Sequence, residues 1–328
     1  MIKPVVLVTA AAASTELREL LQDAGMEVVY MEGVVDEASL LNEFSRRRIA
    51  AVILRGPAPF TRTVFASAKD LRVISKYGAG IDSVDLESAT AHGVAVMVTN
   101  GANAGAVAEH ALALMLALSR ELPRFDRELR RGVWKDPHHV VRDFSARTVG
   151  IVGYGQIGRR AARLASACGA KVVVHSRTRV ALPPDVGWES SLDRLLGHVD
   201  ILSLHCPLTD RTRSMIGERE FALMRPGAIL INTARGKLVD EPALVAALKS
   251  GRVAAAGLDT FATEPPDPSG PLLALPNVLC TPHVAAYTTD AGAQMGIICA
   301  RNIISYLRGE VYDPENFINA DRLAISKS

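Results

Sequence analysis

The run Thr148-Val-Gly-Ile-Val-Gly-Tyr-Gly-Gln-Ile-Gly158 constrains this chain more than any other feature. Its first five residues have the composition of a buried strand. Gly153, Gly155 and Gly158 then follow as G-x-G-x-x-G. The first glycine permits a tight turn out of the strand, the second lets backbone approach a pyrophosphate, and the third lets the next helix pack close to the sheet. Glycine-rich turns are common, so the flanks decide. A strand precedes the glycines, a helical pattern with Arg159, Arg160 and Leu164 follows, and a second strand-like run, Lys171-Val-Val-Val-His175, closes a unit of βαβ length. The spacing predicts a dinucleotide site, with the phosphates at the N–H groups of the helix start formed by Tyr154, Gln156 and Ile157.

A chain of 328 residues favours two domains. Its hydrophobic share of 48% and charged share of 22% suit a soluble protein with a substantial core. The formal charge of +2 gives no reason to expect nucleic acid or an anionic membrane as partner. Local basic clusters at Arg46–Arg48 and from Arg127 to Arg131 read as solvated helix faces. Cys168, Cys206, Cys280 and Cys299 are widely spaced, which fits buried thiols in a reducing compartment better than disulfides or a zinc site. The N-terminal run Val5–Thr9 reads as a first strand, with Ser14 capping a helix, and no apolar stretch is long enough to cross a membrane. A cytoplasmic protein without a metal is expected.

Strand-like runs at Val5–Thr9, Glu27–Tyr30, Ala51–Leu54, Val73–Ser75 and Val94–Val98 alternate with helical patterns at Ser14–Ala24, Asp36–Arg47 and Leu86–Ala91. Such alternation predicts a parallel sheet covered by helices. A long helix is expected from Ala104 to Leu122. Its segment Ala111–Leu118 is apolar all round and so must be buried, in a core or a subunit interface. A second series of six strands starts at Thr148 and continues at Lys171–His175, Ile201–Leu204, Ala228–Asn232, Ala254–Asp259 and Val278–Cys280. A final helix is expected over Thr288–Leu307. The fold class is α/β, with two Rossmann-like, doubly wound parallel-sheet domains.

Three segments place polar residues at the expected carboxyl ends of strands, the edge where such sheets bind ligands. Arg235 follows Leu230-Ile-Asn-Thr-Ala and precedes Gly236. It could clamp a carboxylate bidentately or be an ordinary loop arginine. Asp259 ends a small apolar strand ahead of Glu264-Pro-Pro266. That stretch could equally be an exposed acidic loop. His283 follows Thr281-Pro282 in apolar surroundings. By itself it reads as readily as a core histidine, and spacing does not reveal whether Glu264 is its partner.

These segments, together with Lys76-Tyr-Gly-Ala-Gly-Ile-Asp82, Asn103-Ala-Gly-Ala-Val-Ala-Glu109, His205-Cys-Pro-Leu-Thr209, Asn232-Thr-Ala-Arg-Gly236, Leu258-Asp-Thr-Phe-Ala-Thr-Glu-Pro265 and Thr281-Pro-His283, resemble the D-isomer-specific 2-hydroxyacid dehydrogenases. The motifs run in the family's order over nearly the whole chain. The resemblance implies a flavodoxin-like substrate domain of residues 1–98 and 287–328, and a dinucleotide-binding Rossmann domain of residues 99–286. It implies that Arg235 binds the substrate carboxylate and polarises the keto group. It further implies that His283 exchanges a proton with the keto oxygen, and that Glu264 holds the imidazole protonated. Asp259 would face the nicotinamide. His205, Cys206 and Pro207 would line the cofactor cleft with Thr233 and Ala234. The backbone N–H groups of Tyr77, Gly78, Ala79 and Gly80 would take the substrate carboxylate. Asn103 and Val107 would sit at the domain junction, and closure of the cleft would exclude water. A homodimer built around the long helix is implied as well.

The family's NAD-preferring members carry an acid at the end of the second nucleotide-domain strand. Here the strand ends His175-Ser-Arg-Thr-Arg179, with Ser176 in the acid's place and Arg177, Thr178 and Arg179 beside it. This predicts a preference for NADP(H) over NAD(H). For the acid itself, two readings stand. Arg55 and Lys76 occupy places where phosphoglycerate dehydrogenases contact substrate, although Lys76 replaces the usual arginine. A chain of this length would also lack the regulatory domain of their longer versions. The NADP-type strand end points to glyoxylate or hydroxypyruvate. The other functional class is a dinucleotide-sensing, corepressor-like binding module with little catalysis.

Overall fold

A computed structural model describes residues 3–323 of the chain. Residues 1–2 and 324–328, the outer ends of the expected substrate domain, lie outside the described residues. The chain forms two compact units, one of residues up to Asn103 together with those from Thr288 onward, the other Ala104–Tyr287.

The first unit contains β1 (Val5–Val8), α1 (Thr15–Asp23), β2 (Glu27–Tyr30), α2 (Glu37–Arg46), β3 (Ile49–Leu54), α3 (Arg62–Ser67), β4 (Val73–Lys76), α4 (Leu86–Ala91) and β5 (Ala95–Met97). The strands form one sheet in the order β2-β1-β3-β4-β5, and every pairing is parallel. This is the flavodoxin-like order of a doubly wound sheet. Both faces are covered, and alternate strand residues divide between them. Leu7, Val52, Leu54, Ile74 and Val96 pack with Leu40, Phe44, Phe60 and Phe65. Val6, Val8, Ala51, Ile53 and Val73 pack with Leu17, Leu21, Cys299 and Ile303. Polar caps set the helix starts: Ser14 accepts from Leu17 N–H, and Asp36 forms a reciprocal capping box with Ser39.

The second unit begins with α5 (Ala104–Ser119) and α6 (Leu122–Arg130), then β6 (Thr148–Val152), α7 (Gln156–Ala167), β7 (Lys171–His175), β8 (Val186–Trp188), α8 (Leu192–His198), β9 (Ile201–Leu204), α9 (Glu218–Leu223), β10 (Ala228–Asn232), α10 (Glu241–Lys249), β11 (Val253–Leu258) and β12 (Val278–Cys280). Its seven strands are ordered β12-β11-β10-β9-β6-β7-β8, all parallel, which is the dinucleotide-binding order extended by one strand. The order reverses at β6, so the glycine loop leaves the sheet at its switch point.

Four expectations are corrected. The second sheet has a strand that periodicity did not reveal: β8 is three residues long and carries Gly187 at its centre, too short for an alternating signal. The short helix α3 was likewise missed. The long helix stops at Ser119, because Glu121 adopts a left-handed conformation (φ 51°) and Pro123 opens a separate α6. Its inner face, with Ala108, Ala111, Leu114, Met115 and Leu118, is in the core, whereas Leu112 and Leu116 are only half-buried. Finally, Cys168 is exposed at the end of α7 rather than buried, although all four cysteines are free thiols as expected.

α11 (Thr289–Leu307) returns to the first unit and packs along α1, where Gly296 lets the helices approach: a Cβ there would lie 2.8 Å from Ser14 Oγ. The segment after it seals the edge of β5. Val96 N–H donates to Asn319 Oδ1 (2.9 Å), and Asn319 Nδ2 donates to Val94 O and Thr90 Oγ1 (both 3.0 Å). Asn319 is 2% exposed, so its loss strands a buried N–H and carbonyl. Asn319→Ala should lower the stability of this unit by about 2–4 kcal/mol. Denaturant unfolding followed by circular dichroism measures the change.

Candidate active site

Because all seven strands of the second unit are parallel, their carboxyl ends share one edge of the sheet. The segments singled out above leave the sheet there: the glycine loop after β6, Ser176–Arg179 after β7, His205–Pro207 after β9, Thr233–Arg235 after β10, Asp259 after β11 and Thr281–His283 after β12.

The glycine loop is built by close backbone approach. Gly153 has φ 93°, and a Cβ on it would fall 2.7 Å from His205 O. A Cβ on Gly158 would fall 2.0 Å from Gly153 O, so α7 sits directly on the turn. At Gly155 a Cβ would meet nothing within 4 Å. Gly155 caps α7 without a side-chain hydrogen bond, leaving the first-turn N–H groups of Gln156 and Ile157 as donors. Tyr154 is half-buried, and its carbonyl accepts from Arg159 Nε (3.2 Å). A further polar group is unspent: the buried hydroxyl of Thr233, a residue 7% exposed, has no hydrogen-bond partner among the described residues. Open space at Gly155, a helix start without a cap and an orphaned hydroxyl on the same sheet edge fit a dinucleotide.

His205 lies beside the loop with Nε2 2.9 Å from Ser203 Oγ, and burial pushes its imidazole down to about 4. It is therefore neutral near pH 7. Burial pushes the Cys206 thiol up to about 11, so this cysteine is not a nucleophile at neutral pH. Pro207 is exposed, and Ala234 is half-buried. At the end of β7, Ser176 Oγ donates to Thr178 O (2.7 Å). Arg177 and Arg179 are exposed, and the Arg179 guanidinium lies 5.6 Å from the centre of the Trp188 ring.

The remaining three segments converge. His283 Nδ1 is 2.7 Å from Glu264 Oε2, with both side chains partly open to solvent. Burial opposes ionisation of Glu264. The hydrogen bonds from His283 and the Phe261 N–H, together with the charges of His283 and Arg235, outweigh it and hold the carboxyl below its ordinary range. The carboxylate thus persists as pH falls through that range and is lost only below it. Arg235 is half-buried, and its guanidinium donates to Ala234 O (2.7 Å). The turn that carries it is braced by Asn232, whose Oδ1 accepts from Ala234 N–H (3.1 Å) and whose Nδ2 donates to Arg235 O (2.8 Å). Gly236 lets this turn meet the loop before Glu264: a Cβ there would fall 1.9 Å from the Phe261 carbonyl carbon. Asp259 is fully buried and accepts from Thr281 Oγ1, Val284 N–H and Ala285 N–H.

On the first unit, Arg55 follows β3, and Lys76 ends β4 ahead of Tyr77–Gly80. Arg55 stacks on Tyr77 (4.6 Å) and donates to Ala12 O (2.8 Å). Lys76 Nζ donates to Gly56 O (2.5 Å), and Tyr77 Oη donates to Gly292 O (2.5 Å). The expectation that four N–H groups of this loop take a carboxylate is corrected. Tyr77 N–H is held by Leu54 O (3.0 Å) and Gly78 N–H by Thr99 Oγ1 (2.9 Å), which leaves Ala79 and Gly80 as donors among the described residues. Asn103, half-buried, immediately precedes α5, and Val107 is buried within it.

Residues 112–285 match the sequence model described as D-isomer specific 2-hydroxyacid dehydrogenase, NAD binding domain. The chain is 35% identical over 308 residues to the D-3-phosphoglycerate dehydrogenase of Archaeoglobus fulgidus, a match covering 92% of this chain and 57% of that protein. It is 35% identical over 334 aligned residues to the glyoxylate reductase of Pyrococcus furiosus, covering 99% of this chain and 98% of that one. The chain belongs to the D-isomer-specific 2-hydroxyacid dehydrogenase family. The fold agrees. The NADPH-dependent glyoxylate/hydroxypyruvate reductase of Sinorhizobium meliloti, solved with NADP and malonate, superposes with a TM-score of 0.83 at 29% identity over 96% of this chain and 98% of that one. The chain thus spans little more than half the length of the phosphoglycerate dehydrogenase, but nearly all of the two reductases.

For a member of this dehydrogenase family, sequence reasoning left several polar residues unread. Asn232 was seen only as part of a motif, and its role as a brace has no periodic signal. Glu241, in the first turn of α10, accepts from Ala262 N–H with Oε1 (2.6 Å), and no motif marks it. His110 directly follows the Asn103–Glu109 motif, yet its partner Thr281 is 171 positions away in the chain. The glycine geometry predicts that Gly155→Ala folds with a Tm within ~1 °C of the parent, because its Cβ points into open space. Its dinucleotide Kd should nevertheless rise about tenfold or more, since the methyl occupies the space a pyrophosphate needs. Thermal unfolding and calorimetric titration give the two readouts.

Proposed function

We propose that this chain is an NADPH-dependent reductase of a short 2-keto acid, glyoxylate or hydroxypyruvate, forming the D-2-hydroxy acid. The carrying observation is the Glu264–His283 pair at 2.7 Å, with Arg235 near enough for its charge to act on Glu264. Glu264 occupies Nδ1 of His283 and leaves Nε2 to donate a proton to the keto oxygen as it gains negative charge. The Arg235 guanidinium binds the substrate carboxylate and polarises the carbonyl. Reduced nicotinamide, when bound, supplies the hydride, so the acid gains one hydride and one proton, and His283 ends neutral. The second unit, with residues 112–285 matching a nucleotide-binding domain, takes the dinucleotide, and the first unit is the substrate domain.

NADPH is favoured because no carboxylate stands at 175–179 to repel a 2′-phosphate: Ser176, whose proton goes to Thr178 O, is uncharged there, and Thr178, Arg177 and Arg179 offer donors to it. The near full-length likeness to a glyoxylate reductase supports the unphosphorylated substrate. A second reading, 3-phosphohydroxypyruvate, is favoured by the two cations Arg55 and Lys76 at neighbouring strand ends of the first unit. Absorbance loss with NADPH or NADH against the three keto acids separates these readings. The expected result is faster turnover of an unphosphorylated acid with NADPH, and Ser176→Asp should move kcat/KM toward NADH by about tenfold or more. A clear NADH preference in the parent sinks the cofactor assignment, and selectivity for the phosphorylated acid sinks the substrate. Dinucleotide binding without turnover of any acid would leave a sensing module.

The chain is also proposed to act as a homodimer. The half-buried Leu112 and Leu116 of α5 and the exposed Leu122, Leu129, Val133, Trp134 and Val140 that follow it in sequence are apolar side chains a second copy would cover. Light scattering should give twice the chain mass, and Trp134→Asp should shift it toward the monomer.

A further inference from the structure

His283 has φ 55°, a left-handed conformation that a residue with a Cβ adopts only when its surroundings impose it. What imposes it can be followed atom by atom. Thr281 N–H donates to Leu258 O (2.9 Å), and His283 N–H turns back to Thr281 O (3.0 Å). On the far side, Val284 N–H donates to Asp259 Oδ1 (2.9 Å) and Ala285 N–H to Asp259 Oδ2 (3.0 Å). Thr281 Oγ1 donates to the same Oδ1 at 2.6 Å. One fully buried carboxylate therefore grips the chain both before and after His283.

The grip extends one residue further. A hydroxyl has a single proton, and that of Thr281 goes to Asp259, which can only accept when ionised. The contact of 2.9 Å between Thr281 Oγ1 and His110 Nε2 must then be an N–H donated by His110. His110 Nε2 is also 3.8 Å from Asp259 Oδ1. This imidazole projects from α5, whose residues Leu114 and Leu118 pack against Gly257 two positions before Asp259, so the donor is fixed to the sheet that carries the acceptor.

We propose that His110 and Thr281, acting with Asp259, are positioning residues that hold the left-handed turn at His283 and so set the direction of its imidazole. The proposal rests on the reading of His283 as the proton donor. The side chains form a series, His110 to Thr281 to Asp259 to the backbone on either side of His283. None needs to touch substrate. Breaking a link lets the turn relax toward ordinary backbone angles and displaces the ring while leaving the glycine loop intact.

The test uses the full chain and whichever of glyoxylate, hydroxypyruvate or 3-phosphohydroxypyruvate the parent reduces fastest, with its preferred cofactor. Thr281→Val should lower kcat about tenfold to a hundredfold, as expected for a small misplacement of a reacting group, with dinucleotide Kd nearly unchanged. Thr281→Ser keeps the hydroxyl and should restore most of the rate. His110→Phe should lower kcat, His110→Gln should lower it less, and the double variant His110→Phe/Thr281→Val should be no slower than Thr281→Val alone, because the two act in one series. Fully multiplicative losses, unaltered kcat in His110→Phe, or losses that follow Kd or Tm would each overturn the proposal. His283→Gln tests the underlying reading separately: if it retains parental kcat, His283 is not the donor, whatever the Thr281 variants do.

Discussion

Backbone pressed against backbone at one edge of a parallel sheet is the constraint on which the site depends. Gly158 against Gly153, Gly153 against His205, and Gly236 against Phe261 are contacts where a single methyl would collide with main-chain atoms. Each brings two segments closer than side chains would allow. The first two shape the turn and expose the helix start of α7. The third joins the Arg235 turn to the loop leading to Glu264. Parallel pairing makes this economical, since every strand of the second unit delivers its following loop to the same edge.

Two carboxylates in that region do different work because their surroundings differ. Asp259 is fully buried and accepts from two backbone N–H groups of one loop, so it acts as a fixed anchor for backbone. Glu264 is partly exposed and faces one imidazole, so its charge is directed at a group that can change protonation. Their spacing in sequence, five positions, does not distinguish these roles. His205 and His283 divide in the same way: one is neutral by burial, whereas the other is paired and open to solvent.

The first unit repeats the strategy with different contents. Its parallel sheet also delivers loops to one edge, but Arg55 and Lys76 are tied to carbonyls, and two of the four loop N–H groups are already bonded. Its C-terminal segment, held by Asn316 and Asn319, closes the edge strand and makes the unit discontinuous in sequence.

The sequence by itself determined the α/β class, nearly all of the strands and the place of the glycine loop. These are local properties, set by β-branched runs, glycine spacing and the alternation of strand with helix. Family motifs in order pointed to Arg235, Glu264 and His283, although residue spacing alone left the histidine open. Only the tertiary structure decided that Glu264 meets Nδ1 of His283, that Asp259 accepts from three groups of the 281–285 loop, and that His110 reaches Thr281. Those contacts join residues far apart in the chain, and their geometry comes from sheet order and close packing rather than from any local pattern. The same holds for β8, whose three residues are a strand because β7 lies alongside, and for Tyr77 and Gly78, whose N–H groups were claimed by neighbouring strand ends.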